Sequence, residues 1–205
     1  MDRRTSIKWM MAAVSAANLS SWAASPSTPA TSYGTDPDLV RKYRSGELWP
    51  LTFTAEQKIT AAALCALILP ADAHSPSAAQ LNVHLFIDEW ISAPYPRHVS
   101  DREKILEGLA WIEGDAAKRF KKSFAQLTEA QQRNICDPVC NADKVTSASP
   151  ELLKAAKFFS RYRDLTADGF YTTPEGMKDL GFTGNKPSAK FDGPPLAALK
   201  KAGLA

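Results

Sequence analysis

Thr54-Ala55-Glu56-Gln57-Lys58-Ile59-Thr60-Ala61-Ala62-Ala63-Leu64-Cys65-Ala66-Leu67-Ile68-Leu69-Pro70 carries both ends of a helix within one short run. Thr54 with Gln57 three residues on is a capping box, in which each side chain satisfies a backbone N–H that the first helical turn leaves without a partner. The Ala-rich apolar run after it has strong helix propensity, and Pro70 stops it because proline removes a donor and clashes with the preceding turn. Cys65, set inside that run, reads as a buried and inert thiol.

Outward from there the same grammar repeats. Ser75-Pro76 predicts an N-cap with proline in the first helical position, followed by Leu81, Leu85, Phe86 and Trp90 at helical spacing. Ser100-Asp101-Arg102-Glu103 predicts a further capping box ahead of Ile105, Leu109, Ile112, Ala116 and Phe120. Thr128-Glu129-Ala130-Gln131 opens a short helix. Ser149-Pro150-Glu151 opens a long one through Leu152, Ala156, Phe159, Tyr162 and Leu165, closing at Gly169. No run of alternating apolar residues competes. The expected fold class is all-α, a single-domain helical bundle at 54–205, and its aromatic stripes read as core.

The tail at 170–205 breaks the pattern. Aromatic, Gly and Pro residues succeed one another without a period, and four aromatics (Phe170, Tyr171, Phe182 and Phe191) argue against a disordered tail. This irregular strap is expected to display a partner surface, with packing on its own domain as the competing reading.

Composition narrows the function. The 205 residues are 44% hydrophobic and 23% charged, with 25 Lys+Arg against 22 Asp+Glu and a net charge of +3. That is a globular composition, with no electrostatic reason to expect a nucleic-acid partner. No apolar run approaches the ~20 residues needed to span a bilayer. Residues 1–24 read instead as an export signal. Arg3-Arg4 precedes a weakly apolar Trp9-Met10-Met11-Ala12-Ala13-Val14 and an Ala/Ser stretch to Ala24. The arginine pair resembles the twin-arginine type, and an ordinary leader is the alternative. Residues 25–53 read as an extended segment.

Cofactor signatures are missing from the sequence. There is no G-x-G for a dinucleotide or phosphate loop and no C-x-x-C-H for haem. His74, His84 and His98 lack the spacing of a metal pair. No catalytic, cofactor-binding or metal residue is therefore assigned in this chain. Cys136-Asp137-Pro138-Val139-Cys140 leaves two readings open, a short-loop disulfide in an oxidising compartment or two free thiols. His84 with Asp88 and Glu89 is the one candidate acid–base pair, since positions 84 and 88 share a helix face, and no nucleophile accompanies it.

Several motifs in order resemble a known family. They are Phe53-Thr54-Ala55-Glu56-Gln57, Leu67-Ile68-Leu69-Pro70-Ala71-Asp72, Val83-His84-Leu85-Phe86-Ile87-Asp88, and Phe124-Ala125-Gln126-Leu127-Thr128 with Gln131-Gln132-Arg133. Phe158-Phe159, Leu165-Thr166, Gly169-Phe170-Tyr171-Thr172 and Gly181-Phe182-Thr183-Gly184-Asn185 complete the series. Behind a twin-arginine leader, this order resembles gluconate 2-dehydrogenase subunit 3, the small gamma-type subunits of membrane-associated bacterial sugar and polyol dehydrogenases. The resemblance implies a non-catalytic subunit in the periplasm, peripheral to the inner membrane through its complex. It implies a catalytic partner of the glucose-methanol-choline family that holds FAD and rides through the twin-arginine translocase on this chain's leader. A cytochrome subunit with haem c is a further implied partner. The expected partner-binding residues are Phe170, Tyr171, Thr172, Gly181, Phe182, Gly184 and Asn185. An exported helical binding or scaffold protein without an oxidoreductase partner is the alternative.

Overall fold

Helix α1, Ala55–Ile68, begins at the capping box read from the sequence: Thr54 Oγ1 accepts from Gln57 N at 3.2 Å and Gln57 Oε1 accepts from Thr54 N at 2.9 Å. The computed structural model describes residues 43–141, 149–182, 184 and 193–204. Among them are seven α-helices, two 3-10 turns and no strand, so the fold is all-α. The chain divides into two compact units between Trp49 and Pro50. In the first, residues 43–49 include a turn closed by Glu47 N donating to Arg44 O at 3.0 Å, with Arg44 N donating to the Glu47 carboxylate at 3.0 Å. The second holds all seven of these helices.

The remaining helices are α2 (Val83–Ser92), α3 (Pro96–Phe120), α4 (Glu129–Cys136), α5 (Pro150–Tyr171), α6 (Pro174–Asp179) and α7 (Leu196–Lys201). The core sits where α1, α2, α3 and α5 face one another. Leu64, Ile87, Ile91, Ile105, Leu109, Ile112, Phe158, Tyr162 and Leu165 are all buried there. Its centre carries polar groups that are satisfied in place: Tyr162 Oη donates to Ala61 O at 2.8 Å and lies 3.4 Å from Cys65 Sγ, while Thr166 Oγ1 donates to Tyr162 O at 2.8 Å. Burial pushes the Cys65 thiol up to about 11, which keeps it protonated and inert as its sequence context predicts. Gly108 lets the helices close, since a Cβ there would run into the Phe158 ring.

Three helix boundaries differ from the sequence expectation. The helix expected at Ser75-Pro76 begins only at Val83. Residues 78–82 form turns, and Asn82, at φ 56°, interrupts the helical path, so Leu81 and Leu85 do not share a helix. Helix α3 begins at Pro96 in the first helical position and not at Ser100. The expected box therefore does not form, and Asp101 turns its carboxylate to tertiary partners. The long helix α5 does start at Ser149-Pro150, with Ser149 Oγ accepting from Leu152 N at 3.3 Å, but it passes through Gly169 and ends at Tyr171. Gly169 is a packing residue: a Cβ there would stand 2.7 Å from the Phe86 ring and 2.8 Å from Val83. The box at Thr128 and Gln131 forms as read, and Pro138 turns the chain into a 3-10 segment after Cys136.

Candidate functional site

The chain beyond α5 folds back through a second proline-led cap. Thr173 Oγ1 accepts from Gly176 N at 3.0 Å, and α6 ends in a Schellman motif. Phe182 N donates to Met177 O at 2.9 Å, Gly181 N donates to Lys178 O at 3.0 Å, and Gly181 supplies the left-handed residue at φ 67°. This geometry divides the expected partner-binding set. Phe170 is buried in the core and Tyr171 is packed against it, so Phe170 is not a displayed side chain as expected. The reason is the helix extension, which keeps Phe170 on the buried stripe of α5 after Tyr162, Leu165 and Thr166. Thr172 closes α5 by donating its hydroxyl to Asp168 O at 2.9 Å and Gly169 O at 3.0 Å. Phe182 is 55% exposed and Leu180 62%, with Gly181 and Gly184 exposed beside them. Asn185, Arg3 and Arg4 lie outside the described residues.

In the structure Cys136 and Cys140 stand as free thiols, the second of the two readings that the sequence leaves open, and no disulfide joins them. Cys136 ends α4 as a buried side chain, whereas Cys140 lies beyond the 3-10 segment, exposed, with its Sγ donating to Asp137 O at 3.2 Å. Burial, with Asp137 and Cys140 nearby, pushes the Cys136 thiol up to about 12. Native-state alkylation with a small maleimide should therefore label Cys140 and spare Cys65 and Cys136, all three reacting once the chain is unfolded. Cys140 that labels only after reduction would instead indicate a bridge.

Asp88 is not available as the partner of a His84 acid–base pair. Its Oδ1 accepts from Thr52 N at 3.0 Å and Phe53 N at 2.9 Å, and Lys58 Nζ stands 3.5 Å from its Oδ2. The carboxylate is fully buried and fastens the chain entering α1 onto α2. Ser92 completes the latch, accepting from Thr52 N at 2.9 Å. Burial and the nearby Lys58 charge lower the His84 pKa against the opposing pull of Asp88, which favours the neutral ring. Among the described residues no group of three or more His, Cys, Asp or Glu is placed to hold a metal ion. No helix among them is long and apolar enough to cross a membrane. A groove of about 420 Å³ between α3 and α5 has Trp111 and Phe158 among its lining residues, with Glu103, Glu107, Lys154 and Lys157 also lining it and no His or Cys.

A second surface went unread in the sequence. At the corner between α2 and α3 the Trp90 indole donates to Asp101 Oδ2 at 3.0 Å, and Arg161 of α5 donates to the same oxygen from Nε at 2.9 Å and Nη2 at 2.6 Å. Burial raises the Asp101 pKa, but hydrogen bonds from Arg161 and Trp90 and the charges of Arg161 and Lys104 prevail and hold it below the usual carboxylate range. His98 stacks on Trp90 with ring centroids 4.1 Å apart, and its Nδ1–H donates to Trp90 O at 2.7 Å. Arg102 caps the end of α2 through Ile91 O at 2.5 Å and Ser92 O at 2.9 Å. Read along the chain, Trp90 is one more core-stripe aromatic. Only the fold brings α5 within reach of it.

Comparison with known proteins adds one result to this geometry: the profile of the family described as Gluconate 2-dehydrogenase subunit 3 matches residues 55–193. No curated protein matches, and no solved structure matches.

Proposed function

This chain belongs to the gluconate 2-dehydrogenase subunit 3 family, and from that membership we propose that it binds, stabilises and exports an FAD-dependent catalytic subunit of the glucose-methanol-choline type. Membership itself gives it an accessory role within a gluconate dehydrogenase complex. The observation that carries the finer reading is the coincidence of the family match, which begins at the first helix, with an arginine-pair leader at residues 1–24 outside it. In this reading Arg3 and Arg4 direct the folded pair to the twin-arginine translocase, and the complex resides in the periplasm, peripheral to the inner membrane. FAD belongs to the partner, haem c to a cytochrome subunit that takes the electrons, and this chain holds no cofactor and performs no catalysis.

Partner contact is assigned to the cap of α6 and the residues just beyond it. Phe182 and Leu180 provide exposed apolar area, Gly181 and Gly184 hold the backbone in conformations that L side chains rarely adopt, and Asn185 is next in the chain. Tyr171 and Thr172, at the end of α5, are assigned to the same contact, while Phe170 is buried in the core.

Co-expression with the flavoprotein tests the reading. Arg3→Lys with Arg4→Lys should hold both proteins in the cytoplasm, because lysine lacks the guanidinium geometry of the signal. Phe182→Ala should leave the melting temperature of the isolated subunit unchanged while costing ~2 kcal/mol of binding, about thirtyfold in affinity. A flavoprotein that reaches the periplasm without this chain would defeat the export claim. A wild-type subunit that holds no flavoprotein would favour an exported scaffold.

A further inference from the structure

We propose that the outer face of α2 and the first turn of α3, centred on Phe86, Trp90 and Arg97, is a second docking surface for the catalytic subunit, one that receives an apolar side chain flanked by a carboxylate. The proposal rests on the accessory-subunit reading above and adds to it the place and chemistry of a contact.

The surface is continuous. Phe86 and Trp90, one helical turn apart on α2, have ring centroids 6.2 Å apart, and Tyr95 meets His98 edge-on at 5.5 Å. The guanidinium groups of Arg97 and Arg161 lie 5.8 and 5.5 Å from the Trp90 ring centre. Trp, Tyr and Arg are the residue types in which interface binding energy concentrates. Here they are held in place before any partner arrives. Asp101 fixes the indole and Arg161, the His98 hydrogen bond fixes the stacked imidazole, and Arg102 fixes the loop between the helices. Such fixed groups lose little freedom on binding.

Charge selects the occupant. Arg97, Arg102, Lys104 and Arg161 gather around this corner, and Asp101 answers them with both oxygens already engaged, Oδ2 by Trp90 and Arg161 and Oδ1 by Lys104 at 3.7 Å. Glu89, next to Trp90, has interactions of its own. Arg97 is exposed, and among the described residues its guanidinium faces the indole and no carboxylate. A partner carboxylate would complete it, and the 37% exposed Phe86 beside Trp90 would take the adjoining apolar side chain. Phe86 also lies over Gly169, two residues before Tyr171, so this face reaches the last turn of α5.

Arg97→Glu is the test, measured by titrating the purified subunit with the co-expressed flavoprotein at about 50 and about 500 mM NaCl, where screening differs most. Position 97 lies in the first turn of α3, which has no acidic residue, so the helix dipole favours glutamate there and offsets the lost contact with Trp90 and the like charge of Asp101 one turn on; the melting temperature, read alongside, should stay within a few degrees of wild type. Affinity should fall about tenfold or more at low salt, and the gap between variant and wild type should narrow at high salt. Arg97→Lys, which keeps the charge and loses the guanidinium over Trp90, should fall between the two. Wild-type affinity in Arg97→Glu, with Phe86→Ala also binding normally, would overturn the proposal while leaving the accessory-subunit reading intact. A dimer of the isolated subunit that Arg97→Glu dissolves would give the face to self-association and overturn it too. Failure of wild type to bind at all would remove the underlying reading, and this surface with it.

Discussion

Asp88→Ala is expected to destabilise the helical domain by about 3–5 kcal/mol, the range seen when one member of a buried ionic arrangement is removed. Its carboxylate is completely buried, accepts from the backbone of Thr52 and of Phe53, and faces Lys58. Alanine leaves Thr52 N with Ser92 Oγ as an alternative acceptor but leaves the buried Phe53 N with none, and a buried donor without a partner costs its full desolvation. Lys58 is partly exposed and can return to water, so it adds less. In thermal unfolding a loss of this size in a domain of ~150 residues lowers the midpoint by roughly 8–15 °C. Asp88→Asn keeps an acceptor oxygen in place and should cost about 1–2 kcal/mol. If Asp88→Ala and Asp88→Asn melt alike and close to wild type, the latch is not what holds residues 52–53 against α2.

Arg161→Ala is expected to cost about 2–4 kcal/mol and to change how stability depends on acid. Arg161 is the strongest partner of a nearly buried Asp101, through two hydrogen bonds to one oxygen, and removing it leaves the carboxylate with Trp90 and the more distant Lys104. Because Asp101 has a lowered pKa in the folded state, the stability it contributes is complete above the unfolded value, near pH ~4. That contribution is lost as the pH falls through the lower folded value. The wild type should therefore show an acid-side decline that Arg161→Ala largely lacks, the variant being less stable at neutral pH and the two curves converging as the pH falls through the lowered folded value. Parallel curves across that range would show that Arg161 contributes packing on Trp90 and little through charge.

Much of the helical layout was legible in the residues alone. Thr54 with Gln57, Thr128 with Gln131, and Ser149 before Pro150 are local devices whose donors and acceptors lie within one turn, and each forms as read. The periodic residues Ile105, Leu109, Ile112 and Ala116, and Phe159, Tyr162 and Leu165, are buried for the same reason, since one stripe of a helix must leave water. The family order of motifs was legible as well, and from Ala55 onward it runs over residues that the profile then matched.

What failed was decided by contacts distant in sequence. Asp101 belongs to a motif that local rules assign to a cap, yet Trp90 eleven residues before it and Arg161 sixty residues after it claim its carboxylate, and the helix start moves to Pro96. Gly169 carries the local sign of a helix end, but Phe86 and Val83 occupy the space a side chain would need, so the helix continues and takes Phe170 into the core. Asn82 changes direction in a stretch whose apolar spacing suggests continuity. Local hydrogen bonds and periodicity are properties of a few neighbouring residues, so the sequence by itself determined the helices, their caps and their buried stripes. Which polar side chains meet across helices, and so which aromatics reach the surface as a preformed arginine-rich face, depends on how α2, α3 and α5 pack, and only the tertiary structure decided it.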